Sequence, residues 1–188
     1  THDISLSAGL QYVHSFRKLL FAPASVTTGI EWSGNRLRDK KLGYFDPETN
    51  LNTGNTPVAH QSIQTGSLFT QSDWDLNPLL LSVGLRYDHY RIDDLLNLSD
   101  AIPGDVLSPR ISLLWQANTN LQFRTAFARG FRAPQIFDED LHIETSGARQ
   151  VLHRNDENLK QETSNSLTAS ISYTIQSLFW QYQFLAEG

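Results

Sequence analysis

Residues 166–174 alternate without a break. Leu167, Ala169, Ile171 and Tyr173 fall on one side of an extended chain, and Ser166, Thr168, Ser170 and Ser172 on the other. Period two is the spacing of β-strand side chains, and a helix cannot hold such a row on one face. The pattern recurs in 79–87 (Leu79, Leu81, Val83, Leu85, Tyr87), in 107–115 (Leu107, Pro109, Ile111, Leu113, Trp115) and in 121–127 (Leu121, Phe123, Phe127). Residues 158–175 read as extended throughout, which at ~3.3 Å per residue is on the order of 55 Å. Soluble strands usually stop near ~17–20 Å. The apolar rows also carry no ionised side chain, since Arg86, Asp88, Arg110 and Arg124 all fall on the other face. A cation on the lipid face at the bilayer midplane costs about 2–4 kcal/mol, whereas the lumen of a barrel tolerates it. The alternation therefore predicts membrane strands, with Arg86, Asp88, Arg110 and Arg124 facing the lumen.

Composition narrows the alternatives. A net charge of −5 argues against a nucleic-acid surface, which needs clustered Lys and Arg. The absence of cysteine excludes a disulfide scaffold, thiolate metal sites and thiol catalysis. No apolar run approaches the ~18–20 residues of a spanning helix, and negative mean hydropathy is compatible with a barrel because only alternate residues meet lipid. With no methionine and no N-terminal apolar region, the 188 residues are expected to be an internal piece of something longer.

Taken in order, the chain gives roughly eight strands. Residues 2–13 alternate, 14–24 contain Pro23 and are expected to form a turn with frayed strand ends, and 26–32 alternate again. Strands follow at about 60–75, 79–87, 107–116, 121–131, 158–175 and from Trp180 onward. Short connections fall at 75–78, 117–120 and 176–178, and long ones at 36–59, 92–106 and 132–158. Short turns at one end and long loops at the other are the signature of an up-and-down transmembrane β-barrel, whose longer loops are extracellular. The expected fold is thus all-β, antiparallel, a partial barrel of about eight strands. Aromatic residues near presumed strand ends (Trp32, Trp74, Tyr87, Trp115, Tyr173, Trp180) suit interfacial girdles. Pro109 resists this pattern: it has no amide hydrogen, so it must sit at the rim, beyond its neighbour's end, or at a bulge.

Three segments carry a family likeness. SPR, GFRAPQIFDEDLH and NLKQE, in this order and spacing, resemble the C-terminal barrel half of TonB-dependent outer-membrane receptors, and the flanking strands from about Ser25 onward fit too. The resemblance implies that 1–188 is a fragment of the barrel domain, without the plug domain or a signal peptide. It implies a barrel of the kind whose ~22 strands enclose a plugged lumen. The implied partners are the plug, the TonB complex reached through the absent plug segment, outer-membrane lipid, and a scarce metal chelate: a ferric siderophore, haem, cobalamin or a copper complex. No cofactor is implied. Two other classes stay open: a complete small barrel of eight strands (an anchor or adhesin), and a barrel enzyme, for which no G-x-S-x-G or H-E-x-x-H motif is present.

Candidate ligand residues lie in the third long segment. Arg132, Asp138, Glu139, Asp140, His142 and Glu144 could capture a metal chelate or Ca²⁺, because hard cations take carboxylate oxygens. The plainer reading is a solvated loop, or a bridge to divalent cations among lipid head groups. Asp46, Glu48, Asn50 and Asn52 have alternate-ligand spacing, but Leu51 and Pro57 stand where a calcium loop needs Gly and Glu. Arg86, Arg110, Arg124 and Arg132 could form a basic lumen wall, or could pair with Asp88 and Glu162 across neighbouring strands. His14, His60, His89 and His153 are isolated in sequence and are expected at rims or in loops.

Overall fold

In the computed structural model, eight long strands pair antiparallel in chain order: β1 (His2–Leu19), β2 (Ala22–Lys41), β5 (Thr56–Asp75), β6 (Leu79–Asp94), β7 (Ile102–Gln116), β8 (Leu121–Arg132), β9 (Glu162–Gln176) and β10 (Gln181–Glu187). A small hairpin, β3 (Tyr44–Asp46) and β4 (Leu51–Thr53), stands between β2 and β5. The structure describes residues 2–41, 43–54, 56–95, 101–134 and 160–188. The sheet is an open meander with β1 and β10 at its edges. β2 and β5 run for 20 residues each, far beyond the ~5–6 residues of a typical soluble strand.

Register carries each face across the whole sheet. Val26, Ser72, Val83, Ile111, Phe127 and Leu167 are successive cross-strand partners, and so are Ile30, Leu68, Tyr87 and Leu107. The opposite face joins Glu31, Ser67, Asp88 and Val106, and below them Gly29, Phe69, Arg86 and Ser108. The apolar face is bare: Leu6 is 64 %, Leu10 72 % and Leu167 74 % exposed. A contiguous apolar surface of this extent is not stable in water and needs another apolar phase against it. Arg86, Asp88, Arg110 and Arg124 share the polar face, as the alternation predicts.

The strands extend further than the sequence suggests, and the connections shrink. Residues 14–24, expected as a turn, belong to β1 and β2 except for Leu20 and Phe21. Residues 36–41 pair with 56–62 across β2 and β5, and 102–106 pair with β6. The charged run is extended because neighbouring strands satisfy its backbone: Arg36 opposes Ile4 and Ser62, Arg38 opposes His2 and His60, and 39–41 pair with β5 alone. Conversely, β9 begins at Glu162, four residues later than expected. Of the third long segment, 135–159 lie outside the described residues, including Asp138, Glu139, Asp140, His142, Glu144 and His153.

Proline placement follows from the missing amide hydrogen. Pro23 stands opposite both Arg17 and Lys18, at a bulge where the β1–β2 register shifts. Pro57 flanks a second shift, between Asp39 and Lys40. Pro109 pairs with Leu85 on one side only, because the β7–β8 ladder starts at Arg110. It is therefore a residue beyond its neighbour's ladder, one of the positions that its chemistry permits.

Candidate functional site

Above Arg110 the sheet changes character. The β7–β8 ladder covers only 110–116 and 122–128, whereas β8 stays paired with β9 up to Arg132 opposite Glu162. The upper ends of β7 and β8 are thus free to part. Phe131 belongs by register to the same face as Phe127, yet together with Ala133 and Gln161, just beyond the strand ends, it meets the opposite face of β6. Phe131 stacks on Tyr90 with ring centroids 6.1 Å apart, and the Tyr90 hydroxyl donates to Gln161 Oε1 at 3.0 Å. The tops of β8 and β9 therefore lie across the polar face of β6 and β7. Tyr90, Ile92 and Val106 are buried beneath them, joined by Ile63 and Ile102. Gly104 opposes Tyr90, and any Cβ there would overlap the Tyr90 ring, so only glycine lets the ring lie flat on β7.

Directly below this apolar seam sits a charged cluster drawn from three strands. Arg86 uses all three of its nitrogens: Nη1 donates to Glu31 Oε2 at 2.6 Å, Nε to Asp88 Oδ1 at 2.8 Å and Nη2 to Ser67 Oγ at 2.8 Å. The Ser67 hydroxyl in turn donates to Asp88 Oδ1 at 2.6 Å. The Arg86 guanidinium also lies 6.0 Å from the centroid of the Phe69 ring. Asp88 is 1 % exposed, and its Oδ2 is buried with no hydrogen-bond partner among the described residues. One cation thus holds two carboxylates, leaving a net charge of −1 on this patch. Arg86 pairs with Asp88 along β6 itself, not across neighbouring strands, and the cross-strand carboxylate is Glu31. Glu31 and Ser67 were not foreseen, although both stand on the polar side of their own alternation.

Arg110 and Arg124 share this face without a hydrogen bond or ion pair among the described residues, and neither converges on Arg86. The expected basic wall is therefore a single neutralised Arg86 with two separate arginines beside it. Arg132 stands at the top of β8 opposite Glu162. The histidines are better connected than their isolation in sequence suggests. His60 Nε2 accepts from Arg36 and Arg38, His89 Nδ1 lies 2.9 Å from Asp105 Oδ1, and the Tyr87 hydroxyl donates to the same Asp105 oxygen. His14 contacts Tyr12 and Phe16.

The calcium-like spacing at 46–52 resolves into a hairpin turn. Asp46 accepts from the Glu48 amide at 3.0 Å and the Thr49 hydroxyl at 2.9 Å, and Asn50 takes a left-handed φ of 55°. Those two hydrogen bonds, the Thr49 hydroxyl first, hold the Asp46 carboxyl below the usual aspartate range. Its oxygens close the turn instead of facing a shared centre. No group of three metal-ligating side chains occurs among the described residues.

Comparison with known proteins agrees with this architecture. The family model for the TonB dependent receptor-like β-barrel matches residues 2–183. The ferric enterobactin receptor of Pseudomonas aeruginosa is 25 % identical over 167 residues, which covers 82 % of this chain and 21 % of the relative. The chain thus spans about a fifth of the length of that curated relative. Among solved structures, BauA, the ferric preacinetobactin receptor from Acinetobacter baumannii, superposes with a TM-score of 0.66 at 11 % identity, covering 98 % of this chain and 28 % of that one. The FrpB iron transporter from Neisseria meningitidis (F5-1 variant) gives 0.62 at 14 % identity, over 91 % and 26 % of the two chains. At such identities the structural likeness speaks for the fold alone. The chain belongs to the TonB-dependent receptor β-barrel family.

Proposed function

We propose that this chain is part of the wall of an outer-membrane barrel that imports a scarce metal chelate, a ferric siderophore above all, with energy supplied through TonB. The observation that carries the reading is the two-faced sheet within this family: a largely apolar band suited to lipid, backed by a face holding Glu31, Ser67, Arg86, Asp88, Arg110 and Arg124. The polar face lines the lumen, where a plug domain seats, and the long connections lie outside the cell. Capture of the chelate falls to the connections between β2 and β5, between β6 and β7 and between β8 and β9, with Arg132, Asp138, Glu139, Asp140, His142 and Glu144 as contact residues. The curated relative's name supports iron, since it is a ferric enterobactin receptor. An open sheet with β1 and β10 as separate edges favours a segment of a larger barrel over a closed eight-stranded one.

The test is uptake of radiolabelled ferric siderophores, haem and cobalamin by cells with and without the gene. Loss of uptake of one ferric siderophore in the deletion strain, and equally in a strain lacking TonB, is the expected result. Uptake unchanged by the deletion for siderophores, haem and cobalamin alike would overturn the reading. Protease added to intact cells should also cut an epitope inserted near Gly147, and cleavage only after the outer membrane is broken would reverse the topology.

A further inference from the structure

The polar face divides into two walls of opposite charge. On β1, β2, β5 and β6 it carries Asp3, Glu31, Asp73 and Asp88, with Arg86 shared between Glu31 and Asp88. On β7, β8 and β9 the same face carries Arg110, Arg124 and Arg132, with Glu162 opposite Arg132 at the upper end. Below that pair, toward the turn at 117–120, Arg110 and Arg124 are the charged residues of this face on the three strands. The two walls also differ in how their charges are met. Asp3 accepts from Asn35 at 2.9 Å, Asp73 from Gln71 at 3.0 Å, and Asp88 from Arg86 and Ser67. Arg110 and Arg124 are exposed and have no acceptor among the described residues.

The surroundings leave both guanidinium groups open to the lumen. Arg110 stands between Gly84 and Ala128, Arg124 stands beside Ser170, and Ala126 and Thr168 fill the row between them. None of these neighbours brings an acid or a long side chain to the surface. What this wall lacks is therefore an anion. A guanidinium offers its donors in a planar fork that matches paired anionic oxygens. Protein walls around a narrow lumen weaken screening, so a wall of one sign concentrates ligands of the other.

Spacing says how such a ligand would use them. Arg110 is level with Ala128, and Arg124 lies four residues further down β8, on the order of 13 Å at ~3.3 Å per residue. The two cations do not converge on one centre. They stand as successive steps from the end with the long connections toward the end with the short turns. Passage through a lumen requires contacts strong enough to admit a ligand and weak or repeated enough to release it, which two separate steps satisfy. We infer that Arg110 and Arg124 are stations for an anionic chelate on the lumen wall, between its capture by the loops and its release at the periplasmic end. The inference rests on the import function proposed above, and it sets the charge of the ligand as negative. The acids of β1, β2, β5 and β6 act in the same sense, since they repel an anion toward β7 and β8.

The experiment uses cells producing the full-length receptor and two sets of radiolabelled probes. One set is anionic, a ferric tris-catecholate and haem; the other is neutral or cationic, ferric trihydroxamates without and with a free amine and cobalamin. Gene-dependent uptake is expected from the anionic set. At saturating ligand, R110Q/R124Q should slow that uptake about tenfold. Its surface affinity, measured in a strain lacking TonB, should not change, because capture by the loops comes first. R110K/R124K should keep more of the rate than the glutamine pair, since the charges stay. Arg129→Gln removes a cation from the outward face of β8 and should leave the rate unchanged. If R110Q/R124Q lacks the heat-modifiable migration of a folded barrel, R110Q and R124Q are measured singly, each with a smaller slowing. Gene-dependent uptake of neutral or cationic probes alone overturns the stations and leaves the proposed function standing. An unchanged rate in the glutamine variants, or an equal loss in Arg129→Gln, overturns them as well. Slowing that comes with faster amide exchange throughout the plug would assign both arginines to acidic plug residues, which also overturns the inference. If uptake of no probe depends on the gene, the proposed function fails and the stations fail with it.

Discussion

β6 and β9 carry the same alternation and end up in opposite circumstances. In β6 every second residue from Asp88 is buried: Asp88, Tyr90 and Ile92 are each 1 % exposed. In β9 the equivalent row begins with Ser164, Ser166 and Thr168, all exposed, and only Ser170, Ser172 and Thr174 are partly covered. Nothing in the local pattern of either strand accounts for this. The difference comes from what reaches each face from elsewhere: Glu31 and Ser67 from β2 and β5, and Phe131 and Gln161 from the ends of β8 and β9. Alternation decides which way a side chain points, and distant segments decide whether it is buried.

The sharpest way to break the comparison is to remove the cation from the β6 cluster. In the full-length protein, Arg86→Ala leaves Asp88 buried without its guanidinium. Loss of one partner from a buried ion pair costs about 3–5 kcal/mol. The lower part of that range is expected, because the Arg86 side chain is 39 % exposed and water can replace part of it. Denaturant unfolding in lipid vesicles measures the loss. The double replacement Arg86→Met with Asp88→Leu should recover most of it, since removing both charges leaves neither one unpaired. A double variant as unstable as the single one would show that the cluster is not a coupled pair.

On β9 the contrast lies between faces. Ile171→Arg puts a cation in the middle of the apolar row and should cost about 2–4 kcal/mol if that row meets lipid near the midplane. Ser170→Arg should cost less, about 0.2–1 kcal/mol, because it turns to the polar face and meets only the like charge of Arg124 directly opposite. Equal costs for the two substitutions would invert or abolish the assignment of faces.

Between these lies the seam at Tyr90. Gly104→Ala forces a methyl group into the space of the Tyr90 ring. Overpacking of this kind costs about 1–3 kcal/mol. The ring should move off Phe131 and give up its hydrogen bond to Gln161, which faster amide exchange at the top of β6 would report. Unchanged exchange in Gly104→Ala would mean that the seam does not hold the ends of β8 and β9 in place.

Facing was legible from the sequence because it depends only on period two, which a single strand states by itself. Ile111, Phe127 and Leu167 fell on one side before any register was known, and register then joined them. Strand ends were less legible. The Asn-, Lys- and Arg-rich run at 35–41 has the composition of a loop, but β5 along its whole length and β1 as far as Arg38 supply its backbone hydrogen bonds. The charged cluster was half legible: Arg86 and Asp88 are two residues apart on one strand, whereas Glu31 lies 55 residues from Arg86 and reaches it only across β5. Tyr90 on Phe131 was hidden altogether, since it sets residues of opposite assigned faces against each other.

The smallest expected effect concerns the β3–β4 hairpin, which lies apart from both strands being compared. Asp46 accepts the Glu48 amide and the Thr49 hydroxyl only as a carboxylate, so its pKa is depressed in the folded turn relative to the unfolded chain. A depressed carboxylate contributes stability that is fully present above the unfolded value of about 3.9 and is lost as pH falls through the folded value. The turn should therefore loosen only in acid, below about pH 4, with no change between pH 5 and 8. Asp46→Asn keeps an acceptor oxygen but removes the charge, so it should abolish the acid dependence while leaving the hairpin formed at neutral pH. Amide exchange of Glu48 and Thr49 across this pH range, corrected for intrinsic rates, distinguishes the cases. Loosening that persists in Asp46→Asn would assign the acid sensitivity to another carboxylate. If, at neutral pH, exchange of these amides were unaffected by Asp46→Ala as well, the hairpin would be held by its β3–β4 pairing and the left-handed Asn50, with Asp46 incidental to it.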